Sequence, residues 1–376
     1  MAKIESKIKV IQIFEEYPLF YQPYIPPVIT EIQNSNDFDI KIIAFKGKSS
    51  SEVQVMPSYY LRRIIERWYG FVNRNQQNLA YNEILAIKNN AHIIHLQHAF
   101  LFPKILGLAN SRMSIMKPKL IVTLRGTETY ARPYIQKKWK DFFYKYGTKI
   151  DAYVVMSDDH KSYLMRWGVP KEKIHIIPIS FGETFQIQPK IPNNKCLQLV
   201  SVFRLCWEKN INGNLLVAKH LKSLGVKFKY TIIGDGEELM KVHYLIDKYQ
   251  LNDFVEVLGR IENSNLKMKL KSYDIILQLS HLESLGMSII EAQSMGIPAI
   301  VSNTGGLPEA VIDNVTGFVV DANDYVGASK SILKLWQNKD CYFKFSKGAI
   351  EHAQSSFSIK VESNRLKNLY KSLINK

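Results

Sequence analysis

Short apolar, β-branched runs recur along the first half of the chain, and longer amphipathic stretches separate them. The runs are IKVIQIF (8–14), IKIIAF (40–45), AHIIHLQ (91–97), KLIVTLRG (119–126) and AYVVMS (152–157). Runs of this kind predict buried strands, and the stretches between them predict helices. Because strands that alternate with helices build a parallel sheet covered on both faces, the pattern predicts a doubly wound α/β domain.

A second series of the same kind follows a polar segment, residues 185–194 (FQIQPKIPNN), which we interpret as an interdomain linker. The strand candidates of this series are residues 197–205, 230–236, 255–260, 274–280, 298–303 and 317–320. A chain of 376 residues is also too long for one hydrophobic core. We therefore predict two such domains, residues 1–185 and 186–356, followed by an amphipathic helix over residues 357–376.

Positive charge is concentrated in one part of the chain. The net charge is +16, and residues 51–150 hold 16 Lys/Arg against 5 Asp/Glu. Such a stretch suits nucleic acid, anionic lipid or a phosphorylated substrate, and charge alone does not choose among them. Since no known nucleic-acid-binding module accompanies the charge, we expect no nucleic-acid partner.

The cysteines and the hydropathy bear on the compartment. The three cysteines, Cys196, Cys206 and Cys341, form no CxxC pair, which favours a reducing environment. No apolar run approaches the ~18 residues that span a bilayer, and the first residues lack the features of a signal peptide. We expect a cytoplasmic protein, with peripheral attachment to the inner face of the membrane left open.

The densest chemical signal is HLESLGMSIIEAQSMGIPAIVSNTGGLPEAV, residues 281–311. Glu283 comes just after a predicted strand, where open α/β sheets bind ligands. A predicted helix then ends near Gly296, its first amides can bind an anion, and Glu291 lies one to two turns inside it. The alternative is an ordinary strand–helix junction with solvated glutamates.

Two further segments place charges and glycines at the same edge of the second sheet. Arg204 ends a predicted strand and Lys209 follows in the next loop, so the two cations suit a diphosphate. The alternative is a pair of surface charges. Gly234 and Gly236 form a tight turn after the next strand, but the third glycine of a dinucleotide fingerprint is missing.

Three other clusters do not predict sites. Asp37 and Asp39 precede a strand, and nothing else supports a metal there. His92, His95 and His98 are three apart, so on a regular strand their side chains cannot converge. The residues Ser-Asp-Asp-His, 157–160, predict the cap of the next helix. We therefore expect no metal site.

Taken together, these motifs resemble the retaining family-4 glycosyltransferases (glycosyl transferases group 1), which have the GT-B fold. Their two glutamates separated by seven residues correspond to Glu283 and Glu291. The other matching elements are Gly296-x-Pro298, Gly305-Gly306-x-Pro308-Glu309, Thr316-Gly317, Arg204-x4-Lys209, Gly234-x-Gly236 and Gly259-Arg260. In the first half, LIVTLRGTET is similar to a family segment that ends in a histidine, a glycine and an acid. Here Arg125 replaces the histidine, Gly126 is the glycine and Glu128 is the acid.

The resemblance implies two Rossmann-like domains that face a central cleft, with the last helix crossing back onto the first domain. In the C-terminal domain, Arg204 and Lys209 would stabilise the diphosphate as it leaves, the electrostatic effect that usually dominates such catalysis. Glu283 and the amides of Leu285, Gly286 and Met287 would hold the sugar and its phosphate. Glu291 would bind the ribose, Gly259 and Arg260 would lie near the base, and Gly234 would lie beside the ligand. The acceptor would meet Arg125, Gly126 and Glu128.

The expected function is that of a retaining, metal-independent hexosyltransferase-type enzyme. It would need no cofactor, would use a nucleotide diphosphate-sugar as co-substrate, and would act on a glycan or lipid-linked acceptor in bacterial-type cell-surface polysaccharide or glycolipid assembly. The alternatives are a sugar-nucleotide epimerase or another enzyme of the same fold, and a non-catalytic subunit that binds a nucleotide-sugar.

Two stretches that mix bases with aromatics raise the possibility of an anionic membrane surface as a partner. Residues 59–74 place Leu61, Ile64 and Trp68 on one helical stripe with arginines beside it, and residues 132–149 are of similar composition. The alternative is a pair of helices that pack these apolar residues into the core and leave their basic faces in solvent.

Overall fold

The computed structural model describes residues 7–18, 22–73, 78–111, 117–182, 187–192 and 195–375, without the side chains of residues 263–264. The chain divides into two compact units. Unit 1 contains Met1–Pro178 and Ile359–Lys376, and unit 2 contains Ile179–Ser358. The predicted boundary between residues 185 and 186 lies outside the described residues.

Unit 1 contains a seven-stranded parallel sheet with the order β3-β2-β1-β4-β5-β6-β7. Its strands are β1 (Ile8–Glu16), β2 (Phe38–Lys46), β3 (Val53–Val55), β4 (Ile93–Leu96), β5 (Lys119–Thr123), β6 (Ala152–Val155) and β7 (Ile174–Ile176). The five strands predicted for this half are present. The sequence did not predict β3 and β7, since each has three residues, too few to show a period, and each lies at an edge of the sheet.

The helices of unit 1 lie between these strands, and the last one comes from the end of the chain. They are α1 (Ile25–Gln33), α2 (Tyr59–Val72), α3 (Tyr81–Lys88), α4 (Leu106–Asn110), α5 (Thr127–Tyr130), α6 (Arg132–Ile135), α7 (Lys137–Tyr146), α8 (Asp158–Arg166) and α16 (Ile359–Ile374). The predicted cap is confirmed, because the Ser157 side chain accepts a hydrogen bond from His160 N at the start of α8, 3.2 Å away.

Helix α16 packs its apolar face onto unit 1. Leu366, Leu369, Tyr370 and Leu373 are buried. The Tyr370 hydroxyl lies 2.8 Å from His95 Nδ1 and accepts a hydrogen bond from Gln12 Nε2 at 3.2 Å. This phenol therefore completes a buried polar group between β1 and β4.

Unit 2 contains a six-stranded parallel sheet with the order β10-β9-β8-β11-β12-β13. Its strands are β8 (Leu197–Val202), β9 (Phe228–Ile233), β10 (Val255–Gly259), β11 (Ile275–Gln278), β12 (Ala299–Ser302) and β13 (Gly317–Val320), which confirms all six predicted strands. Its helices are α9 (Ile211–Ser223), α10 (Leu239–Lys248), α11 (Asn263–Leu270), α12 (Met287–Ser294), α13 (Leu307–Ala310), α14 (Tyr325–Gln337) and α15 (Lys339–Phe357). The two sheets confirm the predicted α/β class with two Rossmann-like domains.

The two stretches rich in bases and aromatics have opposite environments. Helix α7 buries Trp139, Phe142, Phe143 and Tyr146 in the core of unit 1, as the packing alternative predicts. Helix α2 does not follow that alternative: Leu61, Ile64 and Trp68 are exposed, and among its described side chains only Tyr69 is buried. Arg74, which the sequence placed at the end of this stretch, lies outside the described residues.

Over the described residues, every helix is too short or too polar to cross a bilayer.

Candidate active site

The predicted donor residues lie at the point where the strand order of unit 2 reverses. From β8 the chain adds β9 and β10 on one side, and β11, β12 and β13 on the other. The carboxyl ends of β8 and β11 are therefore neighbours whose following loops diverge and leave a crevice, the usual ligand position in such sheets. Arg204 follows β8, and Glu283 follows β11.

Lys209 and Glu283 form an ion pair across this crevice. Lys209 ends the 3-10 turn Trp207–Lys209, and its Nζ contacts Glu283 Oε2. The side chains are 16% and 13% exposed, so water screens the pair only partly. Two backbone hydrogen bonds hold the loops together, since Glu208 O accepts from His281 N at 2.7 Å and from Leu282 N at 3.3 Å.

The carboxylate of Glu283 has further partners that the sequence did not reveal. Gln278 Nε2, at the end of β11, donates to Glu283 Oε2 at 2.7 Å, and Ser284 N donates to Oε1 at 3.2 Å. The buried Gln278 amide also accepts from Ser288 Oγ at 3.1 Å in the first turn of α12. Gln278 thereby joins Glu283 to the start of the helix, and only its place at the end of a strand could have pointed to it.

Arg204 is more exposed than Lys209. Its side chain is 59% exposed, and NH2 lies 3.4 Å from Glu208 Oε1. The Glu208 side chain is only 12% exposed, so water screens this pair only from the side of the guanidinium. The structure thus presents one mostly buried and one exposed cation at the carboxyl edge of the sheet.

The start of α12 supplies the predicted amides. Gly286 caps the helix with φ +90°, a left-handed conformation that disfavours other residues, and Leu285, Gly286 and Met287 lie at the positive end of the helix dipole. Glu291 is buried on the second turn, 6% exposed. The solvated-glutamate alternative is therefore wrong for Glu291 and for the ion-paired Glu283.

Three glycines allow close backbone contacts around the crevice. A Cβ on Gly305 would overlap the Glu283 carbonyl oxygen, and one on Gly306 would overlap that of Ser284. Gly234 packs in the same way against the Phe203 carbonyl, which brings the turn after β9 against the end of β8. These contacts fix the loops that carry Arg204 and Glu283.

Gly259 and Arg260 lie at the same edge of the sheet, farther from the ion pair. Gly259 ends the edge strand β10, and its carbonyl accepts from Gly234 N at 2.9 Å. Two strand spacings separate β10 from β8, which is roughly 10 Å. The donor residues predicted from the sequence therefore form a row along one edge of unit 2.

A further group near Arg204 combines a thiol with two acids. The ligand atoms of Cys206, Glu208 and Glu237 lie within 4.8 Å of one another, and they form the single such group found over the described part of the chain. Burial raises the pKa of the Cys206 thiol, which opposes the thiolate that a metal would need. Asp37, by contrast, pairs with Lys371 at 2.6 Å.

The predicted acceptor residues lie together at the carboxyl end of β5 in unit 1. Arg125 NH2 donates to Gln97 Oε1 at 3.0 Å, and Gln97 Nε2 donates to Gln12 Oε1 at 2.6 Å. Gly126, at φ +141°, caps the short helix α5, and Glu128 lies in its first turn. Gln12 and Gln97 orient the arginine and were not predicted.

The histidines of this region are neutral. Burial, with a smaller contribution from the Arg125 charge, lowers the pKa of His95 to about 3 and that of His98 to about 4. His95 Nε2 lies 2.7 Å from Thr123 Oγ1, and His98 Nδ1 accepts from Glu15 N at 3.4 Å. The described contacts of the His95 and His98 rings are therefore separate.

Two family models match the chain. The model described as Glycosyl transferases group 1 matches residues 183–352, and the one described as Glycosyltransferase Family 4 matches residues 31–179. Together they cover most of both units.

Curated relatives and solved structures agree with the family models. The chain is 26% identical over 271 residues to the putative colanic acid biosynthesis glycosyltransferase WcaL of Escherichia coli K12. The matched residues make up 69% of this chain and 66% of that protein. It is 25% identical to the amylovoran biosynthesis glycosyltransferase AmsK of Erwinia amylovora, over 62% of this chain and 59% of that one. The chain thus spans less than two thirds of the length of each.

Two solved structures share the fold at low sequence identity. Sucrose-phosphate synthase from Thermosynechococcus elongatus has a TM-score of 0.74 and 18% identity, and covers 98% of this chain and 100% of that one. The Anabaena protein HepE, in complex with UDP and glucose, has a TM-score of 0.73 and 13% identity, over 97% and 100% of the two chains.

Proposed function

The chain belongs to the glycosyltransferases of group 1 and family 4, and from this membership we propose that it moves a sugar from a nucleotide diphosphate-sugar to an acceptor. The observation that carries the proposal is the Lys209–Glu283 pair at the reversal point of the unit 2 sheet, with Arg204 beside it. Structural relatives include a protein in complex with UDP and glucose, which supports a nucleotide-sugar donor.

The cations of the crevice neutralise the leaving diphosphate. Charge grows on the diphosphate as the bond to the sugar breaks, and preorganised cations stabilise that charge in the transition state. Lys209 exchanges its contact with Glu283 for a contact with the phosphate, and the exposed guanidinium of Arg204 turns from Glu208 to join it. Glu283, still held by Gln278, then faces the sugar hydroxyls.

The remaining donor contacts come from the same edge of unit 2. The amides of Leu285, Gly286 and Met287 bind a phosphate at the start of α12, and Glu291 accepts from the ribose hydroxyls. Gly259 and Arg260 lie toward the base, and Gly234 leaves room for the ligand to approach the backbone. No cofactor is required for this chemistry.

The transfer retains the anomeric configuration of the donor and needs no metal. The two cations and the helix dipole supply the charge stabilisation that a divalent ion supplies in other transferases. Transfer should therefore persist in excess chelator, and NMR of the product should show the configuration of the donor. An inverted product, or activity that returns only with manganese, would contradict these two points.

The acceptor is a glycan or a lipid-linked sugar of cell-surface polysaccharide or glycolipid assembly. Two relatives, those for colanic acid and amylovoran, carry such polymers in their names. Arg125, Gly126 and Glu128 contact the acceptor in unit 1. Attachment of the cytoplasmic protein to the inner face of an anionic membrane brings it to a lipid-linked acceptor, and the exposed apolar residues of α2 support this attachment.

The test of the function is a calorimetric panel of nucleoside diphosphates and their sugars. A ligand that binds only the folded protein stabilises it by about 2.7 kcal/mol at a hundredfold excess over Kd. One nucleotide-sugar should bind, and the Lys209→Ala variant should bind it more weakly. Product analysis with that donor then separates transfer from epimerisation. Absence of binding by every member of the panel would overturn the proposal.

A further inference from the structure

Helix α2 in unit 1 presents its apolar side to solvent. Trp68 is 61% exposed and Phe71 is 82% exposed, and Leu61 and Ile64 are exposed with them. At 3.6 residues per turn these positions share one side of the helix, and the buried Tyr69 lies on a neighbouring side. A surface helix of a monomer normally shows the reverse arrangement, so among the described residues this face is available to a partner.

A charged groove runs along the flank of the same helix. Its volume is about 550 Å³, and its lining includes Phe71, Arg67, Arg63, Glu66 and Lys104. An adjoining cavity of about 170 Å³ shares Arg63, Glu66 and Lys104 with it and adds Arg62. Phe71 and Arg67 are exposed, whereas Glu66 and Lys104 are half-buried, so the groove leads inward from the edge of the apolar face.

The groove holds an excess of positive charge. Glu66 is its acid: it accepts from Arg63 NH1 at 3.2 Å and from Tyr81 N at 3.0 Å. Among the described residues, Arg62, Arg67 and Lys104 have no carboxylate partner within ion-pair distance. Lys104 Nζ lies 5.6 Å and Arg62 Cζ 5.1 Å from the centre of the Phe45 ring, so one ring holds both cations beside the cavity.

We propose that this groove binds the phosphate of an anionic lipid headgroup while the apolar face of α2 lies in the bilayer surface. The inference rests on the membrane attachment proposed above and adds a specific headgroup site to it. Arginine and lysine recognise phosphate through charge-assisted hydrogen bonds, and the exposed aromatic side chains suit the headgroup level of a membrane. Charge argues against a second copy of this chain as the partner of this face, because the net charge of +16 on each copy would repel the other.

The test compares vesicles whose charge is carried by different chemical groups. The full chain is mixed with phosphatidylcholine vesicles that contain either phosphatidic acid or oleate, at matched surface potential, and binding is followed by flotation. Phosphatidic acid vesicles should bind at least about tenfold more tightly, because a phosphomonoester offers one more acceptor oxygen than a carboxylate and so one more charge-assisted hydrogen bond. Lys104→Gln should abolish this preference. The matched control is Lys138→Gln, at an exposed position on α7, which removes the same charge and should keep the preference.

The other outcomes separate the two proposals. Equal binding to both vesicles would overturn the headgroup site and leave membrane attachment standing, and binding to neither would overturn both. Displacement of the vesicles by the same concentration of soluble glycerol 3-phosphate would show that free phosphate esters are the ligand and would overturn the lipid assignment. A dimer in solution that Trp68→Ser dissociates would do the same. The nucleotide panel tests the transferase proposal without vesicles.

Discussion

At the scale of the single residue, the Lys209–Glu283 pair places a cation in contact with a carboxylate in the candidate site. Lys209 lies on a short turn and contributes little to the core of unit 2. Lys209→Ala should therefore keep the fold and reduce turnover by about 10²–10³, the effect of losing one preorganised electrostatic group. The measurement is kcat with the donor found in the nucleotide panel. Lys227→Ala, an exposed lysine before β9, is the matched control, and a fully active Lys209→Ala protein would remove this lysine from the mechanism.

Gln278 is expected to position the Glu283 carboxylate that faces the sugar hydroxyls. Replacing it with Leu removes the donor to Glu283 Oε2 and the acceptor of Ser288 Oγ. We expect kcat to fall on the order of tenfold, with a smaller change in KM, since the loss of one hydrogen bond to a charged group costs about 1.5–3 kcal/mol. Ser288→Ala, which releases only the amide, should have a milder effect. If both variants lost stability equally and kept their kcat, Gln278 would be a packing residue only.

The residue types were predictable from the sequence, but their contacts were not. Arg204, Lys209, Glu283 and Glu291 follow from spacing and from their positions after strands, because the topology of parallel sheets brings such ends together. Gln278 has no distinguishing pattern, because an amide at the end of a buried strand has the same sequence signature whether or not it holds a catalytic group.

At the scale of the element, two glycine variants distinguish the effect of backbone strain from the effect of the close contact between residues 305–306 and the loop of Glu283. Gly305 has φ +57°, and a Cβ there would overlap the Glu283 carbonyl, whereas Gly225 has φ +69° with nothing within 4 Å. Alanine at either position should cost about 1–2 kcal/mol for the left-handed backbone. Only Gly305→Ala should also weaken nucleotide binding, because it displaces Glu283. Thermal unfolding and calorimetry on both variants measure the two effects, and equal donor affinity would show that the loop adapts.

Helices α2 and α7 show what periodicity cannot predict. Both mix bases with aromatics, and in both the apolar positions share a side of the helix. The pattern specifies which residues lie together, but it does not specify whether that side faces the body of the unit. For α7 the surrounding elements bury the aromatic side, whereas α2 is held through Glu66 and Tyr69 and leaves its apolar side exposed.

At the scale of the whole molecule, the buried histidines predict unequal responses of the two units to acid. Burial lowers the pKa of His95 and His160 to about 3 and that of His98 to about 4, from 6.5, and all three lie in unit 1. These groups favour folding when neutral, so their stabilisation is complete above pH 6.5 and is lost as the pH falls toward 4. Each contributes at most about 1.4 kcal/mol per pH unit. In unit 2, burial also lowers the pKa of His352, but two backbone hydrogen bonds oppose that shift.

Burial also raises the pKa of Glu83 in unit 1 to about 7, so its protonation partly offsets this loss as the pH falls. Three histidines outweigh one carboxyl, so unit 1 should open first on acidification. Hydrogen exchange measured by mass spectrometry between pH 7 and pH 4.5 can follow β4 and β6 separately from β11 and β12. His98→Gln, which keeps a hydrogen-bonding side chain without a titratable ring, should reduce the pH dependence of unit 1. Earlier opening of unit 2 would contradict the assignment.

The position of helix α16 in the sequence determines which of the two units can be completed first. Ile359–Ile374 belongs to unit 1 but is encoded after the whole of unit 2. A ribosome therefore completes unit 2 while unit 1 still lacks the Tyr370 phenol that meets His95 and Gln12. Until the last helix is made, the nascent first unit has an open apolar groove. The side chains of Gln12 and His95 also lack one of their hydrogen-bond partners, the Tyr370 hydroxyl. The part of the chain made first is finished last, and the interval between the two is the time taken to synthesise Ile179–Ser358.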